Sequence, residues 1–218
     1  MRRLMKMRNF KSETEVSISK VKEFVYKAKK ETFAATDSKV SKTNQSSILS
    51  YRAFDSDQYA GMIYNDEYSG NTIEAGCETV SMDLCNVWRN QYYGGSFVQY
   101  WDGKKVSELK ISSSIQIEYL PFITVEFLKM ALLQLPLDFP VRGPHYFQAK
   151  QVDFEGVSYY GDWEYENNWK SIPIYQSDDP FSAFQGEECI RCNGIVIYWH
   201  GYQGGFLRDK YFPIILSD

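Results

Sequence analysis

Two stretches of the chain, GCETVSMDLCNVWRNQYYGG (76–95) and GEECIRCNGIVIYWHGYQGG (186–205), align without a gap at an offset of 110 residues. Gly76 coincides with Gly186, Glu78 with Glu188 and Tyr92 with Tyr202, and both Gly-Gly pairs fall in phase. Val80 matches Ile190, Asp83 matches Asn193, Val87 matches Ile197, and Trp88 matches Tyr198. Upstream, EFVYKA (23–28) is echoed by EFLKMA (126–131) in the same order relative to the Gly-x-Glu segment. Two matched pieces in one order are the mark of a duplicated unit.

Each unit reads as one helix followed by several strands. Ile18, Val21, Phe24, Val25 and Ala28 lie on one face at helical spacing, with Ser17 as N-cap. In the second unit Thr124 is placed to cap a helix running through Phe127, Leu128, Ala131, Leu132 and Leu135, which Pro136 ends. The aromatic runs between the helices, broken by Gly, Asn, Asp and Ser, read as antiparallel strands. SIQIEYL (114–120) is one such run, and YFPIIL (211–216) is a closing strand. TDSKVSKTNQSSILS (36–50) is polar and turn-rich, so a mobile loop is expected there. An aromatic content of 17% also favours sheet over a helix bundle.

The expected fold is α+β: an internally duplicated helix-plus-antiparallel-sheet unit with pseudo-two-fold symmetry. The units span about 18–105 and 121–210 within a single domain, 18–218. No Pro- or Gly-rich linker separates them, which implies one shared core. Residues 1–17 are expected to be a basic, flexible N-terminus.

Charge is unevenly spread. Residues 1–30 hold ten Lys or Arg against three Glu, a balance of +7, so the remainder carries −11 of the net −4. That argues against a nucleic-acid surface on the main body and leaves the basic stretch as a solvated terminus or a dock for an acidic partner. No apolar run is long enough to span a membrane, and MRRLMKMRNF lacks the apolar stretch of a secretory signal, so a cytoplasmic location is expected.

Asn193-Gly194 is a strong signal for a type I′ hairpin turn. Taken as the register, it places Cys192 opposite Ile195, Ile190 opposite Ile197 and Glu188 opposite Trp199, with His200 on the other face. Cys189 and Cys192 then point to opposite sides of the sheet. Neither a shared metal nor a redox Cys-x-x-Cys is expected, and no cofactor is implied. In the first unit the same register sets Glu78 opposite Arg89. Glu78 and Glu188 each end an apolar face, and a carboxylate there must be paired or hydrogen-bonded. The Tyr92 and Tyr202 Tyr-x-Gly-Gly segments read as bends, since no helix follows to make a phosphate loop. RGPHYF (142–147) is expected to display Arg142 and His145 on an exposed loop, with Arg142 suited to an anion.

AKKETFAA (28–35), MIYNDEYSG (62–70), GCETV, VWRNQYYGG, RGP and FQGEECI..NGIVIYWHGYQGG together resemble the bacterial domain of unknown function 5680 family, from about residue 20 to 208. Such domains stand alone or attached to helix-turn-helix transcriptional regulators, and the family carries no settled activity. One departure is visible: an aromatic residue is usual two positions before the first glycine, where Phe184 fits but Glu74 does not. The resemblance implies architecture and a bacterial, regulatory context. The expected function is a non-catalytic ligand-binding, sensory or interaction module taking a small molecule or a protein partner. Its candidate binding residues are Glu78, Glu188, Tyr92, Tyr202, Trp199 and Arg142. The alternative is a hydrolase using Glu78 and Glu188 as a carboxylate pair.

Overall fold

The aromatic runs assemble into one nine-stranded antiparallel sheet carrying both helices. The structure is a computed structural model that describes residues 14–32, 40–42, 47–53, 58–70, 73–83, 85–96, 100–101, 104–105, 119–173, 179–207 and 214–217. The first half comprises β1 (Thr14–Ser17), α1 (Ile18–Glu31), β2 (Val40–Lys42), β3 (Ser47–Arg52), β4 (Met62–Gly70), β5 (Ile73–Met82) and β6 (Cys85–Ser96). A two-stranded ribbon follows, β7 (Tyr100–Trp101) and β8 (Lys104–Lys105). The second half comprises α2 (Leu120–Leu132), β9 (Tyr146–Phe154), β10 (Val157–Ser171), β11 (Ala183–Cys192), β12 (Ile195–Phe206) and β13 (Ile214–Ser217). The sheet order is β2-β3-β4-β5-β6-β12-β11-β10-β9, while β1 and β13 form a separate parallel pair.

Several local expectations change. Part of the supposed loop at 36–50 is strand, because Ser47–Arg52 pairs with β4 and Val40–Lys42 with β3. Thr14–Ser17, the end of the supposed flexible terminus, pairs with β13, so YFPIIL contributes Ile214–Leu216 to a strand outside the main sheet. Residues 114–118 of SIQIEYL lie outside the described residues. Ser17 does cap α1, its Oγ accepting from the Lys20 N–H at 3.3 Å. Thr124 does not cap α2. That helix starts at Leu120 with Pro121 in its first turn, where a missing N–H is harmless. Thr124 is buried inside it, donating to the Leu120 carbonyl at 2.7 Å.

The central hairpins pair in matching register. Gly76 faces Tyr92, Glu78 faces Asn90, Val80 faces Trp88 and Met82 faces Cys85. The partners 110 residues on are Gly186–Tyr202, Glu188–His200, Ile190–Tyr198 and Cys192–Ile195. In each hairpin the second strand carries one extra residue, Val87 or Ile197. The reason is apolar: Val87 and Trp88 are consecutive and both buried, as are Ile197 and Tyr198. Strict alternation would push one of each pair into solvent, whereas a bulge turns both inward. The bulge moves every pairing beyond it by one residue. Glu188 therefore faces His200 rather than Trp199, and Glu78 faces Asn90 rather than Arg89. Trp199 goes to the outer face, its indole N–H donating to Glu187 at 3.2 Å.

Strands β6 and β12 join the halves with Tyr92 opposite Tyr202. Two apolar cores lie beneath the helices. One gathers α1, Met62, Tyr64, Val80 and Trp88 with Phe139, Phe181, Phe184 and Phe206. The other gathers α2, Val152, Trp163, Tyr165, Ile190, Cys192, Ile197 and Tyr198. Cys192 is buried in the second core and Cys189 is half-buried against Glu166, so burial raises their thiols to about 12 and about 11.

Candidate functional site

Between the two cores, the inner face of the central strands is polar. Tyr92 and Tyr202 can stand there because the strand beside each offers a glycine: a Cβ on Gly76 would lie 2.4 Å from the Tyr92 ring, and one on Gly186 2.5 Å from that of Tyr202. The Gly-x-Glu glycine is thus the seat of the Tyr-x-Gly-Gly tyrosine. Gly94, at φ +149°, lets β6 approach β12 so closely that a Cβ would fall 2.1 Å from the Trp199 carbonyl oxygen.

Each tyrosine donates to a side chain one strand further out: Tyr92 to Asp66 Oδ1 at 2.6 Å and Tyr202 to Asn167 Oδ1 at 2.5 Å. Asp66 sits opposite Glu78 and Asn167 opposite Glu188 in the sheet. Both glutamates are buried, and each has its own cation. Lys29, in the last turn of α1, reaches Glu78 Oε1 at 2.7 Å, and Asn90 donates to Oε2 at 3.1 Å. Arg142 Nε lies 3.6 Å from Glu188 Oε1, His200 Nδ1 lies 3.2 Å from the same oxygen, and Tyr165 donates to Oε2 at 2.6 Å. Arg142 is 6% exposed, so RGP is no exposed loop. Asn167 donates to the Gly143 carbonyl at 2.8 Å, holding that segment against the sheet. The guanidinium lies 4.8 Å from the Tyr92 ring centre and 5.8 Å from that of Tyr202, serving both halves at once. His145 is exposed, stacks on Trp169, and lies with Nδ1 3.0 Å from the Asn167 carbonyl oxygen.

The electrostatics follow from burial and pairing. Burial alone would raise Glu188, but Arg142, followed by His200 and Tyr165, overcomes it and holds the carboxyl at about 2. Burial lowers His200, and the neighbouring guanidinium lowers it further against the pull of Glu188, which leaves a neutral imidazole at pH 7. Nδ1 is equally close to Arg142 Nη2 and Glu188 Oε1, at 3.2 Å each. Arg142 can only donate and Glu188 can only accept, but the guanidinium is already paired with the same carboxylate, whereas a lone pair facing that carboxylate is repulsive; we therefore assign the proton to Nδ1, donating to Glu188. Nε2 is then a bare acceptor, as in other carboxylate-oriented imidazoles. Burial, and next the charge of Glu78, raise Asp66 to about 7. Burial also raises Glu74, helped by the charge of Glu188 and opposed by Arg142.

A cavity of about 510 Å³ opens beside this cluster under α2. Phe122, Val125, Leu128, Leu132, Leu135 and Phe154 form its apolar wall. The facing wall is polar: Asp66, Glu74, Glu78, Tyr92, Arg142, Tyr198 and His200, with Lys29 behind. Among the described residues, His200 Nε2 is buried without a hydrogen bond, and Arg142 Nε has only the 3.6 Å ion pair with Glu188; both residues line the cavity.

Of the expected binding residues, Glu78, Tyr92 and Arg142 line the cavity, and Glu188 and Tyr202 support it from behind. Trp199 lies on the opposite face in a shallow groove with Tyr93. Sequence reading misplaced His200 by one register step and did not single out Lys29, Asp66, Glu74 as a site residue, Tyr165, Asn167 or Tyr198. The pattern did contain a signal for two of them: His200 and Tyr198 stand at the offset positions of Asn90 and Trp88. No family model matches the chain, and neither a curated protein nor a solved structure matches it. No helix among the described residues is long and apolar enough to cross a membrane.

Proposed function

We propose that the chain is a non-catalytic binding module, built from two copies of one helix-and-sheet unit, whose cavity under α2 takes an amphipathic small molecule. The observation that carries this reading is the cavity's two-sided wall. Six apolar side chains face a polar wall on which His200 Nε2, though buried, has no hydrogen bond among the described residues. Leaving such an atom unpaired costs about 1–3 kcal/mol, a cost that a ligand's head group removes. The volume suits a small organic molecule. The matching registers of the two central hairpins support the duplication. A sensory role linked to bacterial transcription regulation is part of the same proposal.

The hydrolase reading draws less support. An acid–base pair needs one carboxyl that holds a proton near neutral pH, whereas Glu188 is held at about 2 and lies behind the cavity wall. Each glutamate is also occupied by its own cation.

Nile red, a neutral apolar dye, tests the binding reading. Its fluorescence is expected to rise with the folded protein and to be lost in Val125→Trp, which fills the cavity from a half-buried position on α2. Equal fluorescence from a folded Val125→Trp variant would overturn the assignment of this cavity.

A further inference from the structure

We infer that the polar end of the cavity is built for an ammonium, so that the ligand class is a lipophilic amine; this rests on the cavity being the binding site. The charge inventory points there first. Two cations line the cavity, and both are committed: Lys29 to Glu78 at 2.7 Å and Arg142 to Glu188 at 3.6 Å. Two lining carboxyls, Asp66 and Glu74, have no Lys or Arg within 4 Å among the described residues. Asp66 receives a hydrogen bond from Tyr92, and Glu74 lies 3.9 Å from His200 Nε2, a neutral nitrogen.

His200 supplies the second, independent observation. Its ring is 1% exposed, lines the cavity, and has no hydrogen-bond partner at Nε2. With Nδ1–H turned to Glu188, that nitrogen can only accept, and an ammonium N–H is the donor it lacks. Tyr64, Tyr68 and Tyr198 line the same cavity, an aromatic surrounding compatible with a cation. Phe122 and Phe154, stacked 6.0 Å apart, and the leucines of α2 take the apolar body.

An incoming cation would hold Asp66 and Glu74 ionised. Asp66 is faced by Glu78 from β5, Tyr92 from β6, Lys29 from α1 and Arg142 from the segment after α2. Burial and Glu78 together keep its carboxyl partly protonated at neutral pH, so amine binding is expected to release protons and to weaken as pH falls from 8 to 5.5.

Three matched probes decide the matter by titration calorimetry: phenylbutylamine, phenylbutanol and phenylbutyrate share one body and differ in head group. The amine is expected to bind at least about tenfold tighter than the alcohol, with the acid weakest. Glu74→Gln, at a partly exposed position, is expected to reduce the ratio of amine to alcohol affinity by most of that tenfold preference. Equal binding of all three probes would overturn the ammonium inference while leaving the cavity reading intact. Tightest binding of the acid would also overturn it, in favour of Arg142 as an anion site. Failure of all three, the alcohol included, would remove the cavity reading with it.

Discussion

Under α1 the end of the core is filled; under α2 the corresponding end is hollow. Phe184, two residues before Gly186, is fully buried beside Trp88, Phe139 and Phe181, with ring centres 5.3–6.4 Å away. Glu74, two residues before Gly76, lines the cavity beside Tyr198 and His200. The strand registers around both positions agree, so backbone geometry does not explain the difference. Side chains do: one end receives a phenylalanine cluster, the other a carboxylate. The cations differ as well. α1 carries Lys29, whereas Leu132 follows EFLKMA directly on α2 and joins the cavity wall, and the second cation arrives as Arg142 from the following segment. The comparison teaches that similar strand registers can carry a filled aromatic core at one end and a cavity at the other.

The comparison breaks most sharply at Phe184. Phe184→Glu would place a carboxylate among aromatic rings with no cation beside it, and the variant is expected not to fold. Phe184→Ala should cost about 3–5 kcal/mol, measured by urea denaturation. A cost below about 1 kcal/mol would show that this end is as loosely filled as the other.

Next in size is the contrast between the two buried glutamates. Glu188→Gln strands a guanidinium that cannot lose its proton, so about 3–5 kcal/mol of stability should go. Glu78→Gln strands Lys29, which burial already lowers and which can neutralise, so the loss should be nearer about 1–2 kcal/mol. Equal losses in paired melts would remove the distinction between the two cations.

Glu74→Phe should make the hollow end resemble the filled one. It is expected to raise stability by about 1–2 kcal/mol and to abolish Nile red binding, read by thermal melts and fluorescence.

A further contrast lies in pH. Glu188 has a folded pKa of about 2, below its ordinary value of 4.5, so its contribution is present above about 4.5 and is lost as pH falls toward 2. Asp66 works in the opposite sense. Its folded pKa of about 7 exceeds the ordinary 3.8, so its contribution is full below about 3.8 and is lost as pH rises toward 7. Asp66→Asn should therefore flatten the decline in melting temperature between pH 4 and 7.

Much of this architecture was legible in the sequence. The 110-residue offset, the α1 cap at Ser17 and the turn at Asn193-Gly194 all follow from local chemistry, and the coarse α+β character with an antiparallel sheet matches. The candidate site was legible only where the two matching sequence stretches marked it, at Glu78, Glu188, Tyr92 and Tyr202. Two physical effects hid the rest. A bulge depends on burial of two consecutive residues, which is decided by the core and not by alternation, so His200 and Trp199 exchanged faces. Arg142 is buried because Asn167 and the two tyrosines hold it there, contacts that no local pattern encodes.

The β6–β12 seam bears on synthesis. Strands β3 to β6 pair with sequence neighbours and can form as soon as they emerge, but β12 lies more than 100 residues further on. At about 5–20 residues per second, β6 waits about 5–20 s as an open edge. The register that sets Tyr92 against Tyr202 would equally set Tyr92 against itself in a second nascent chain.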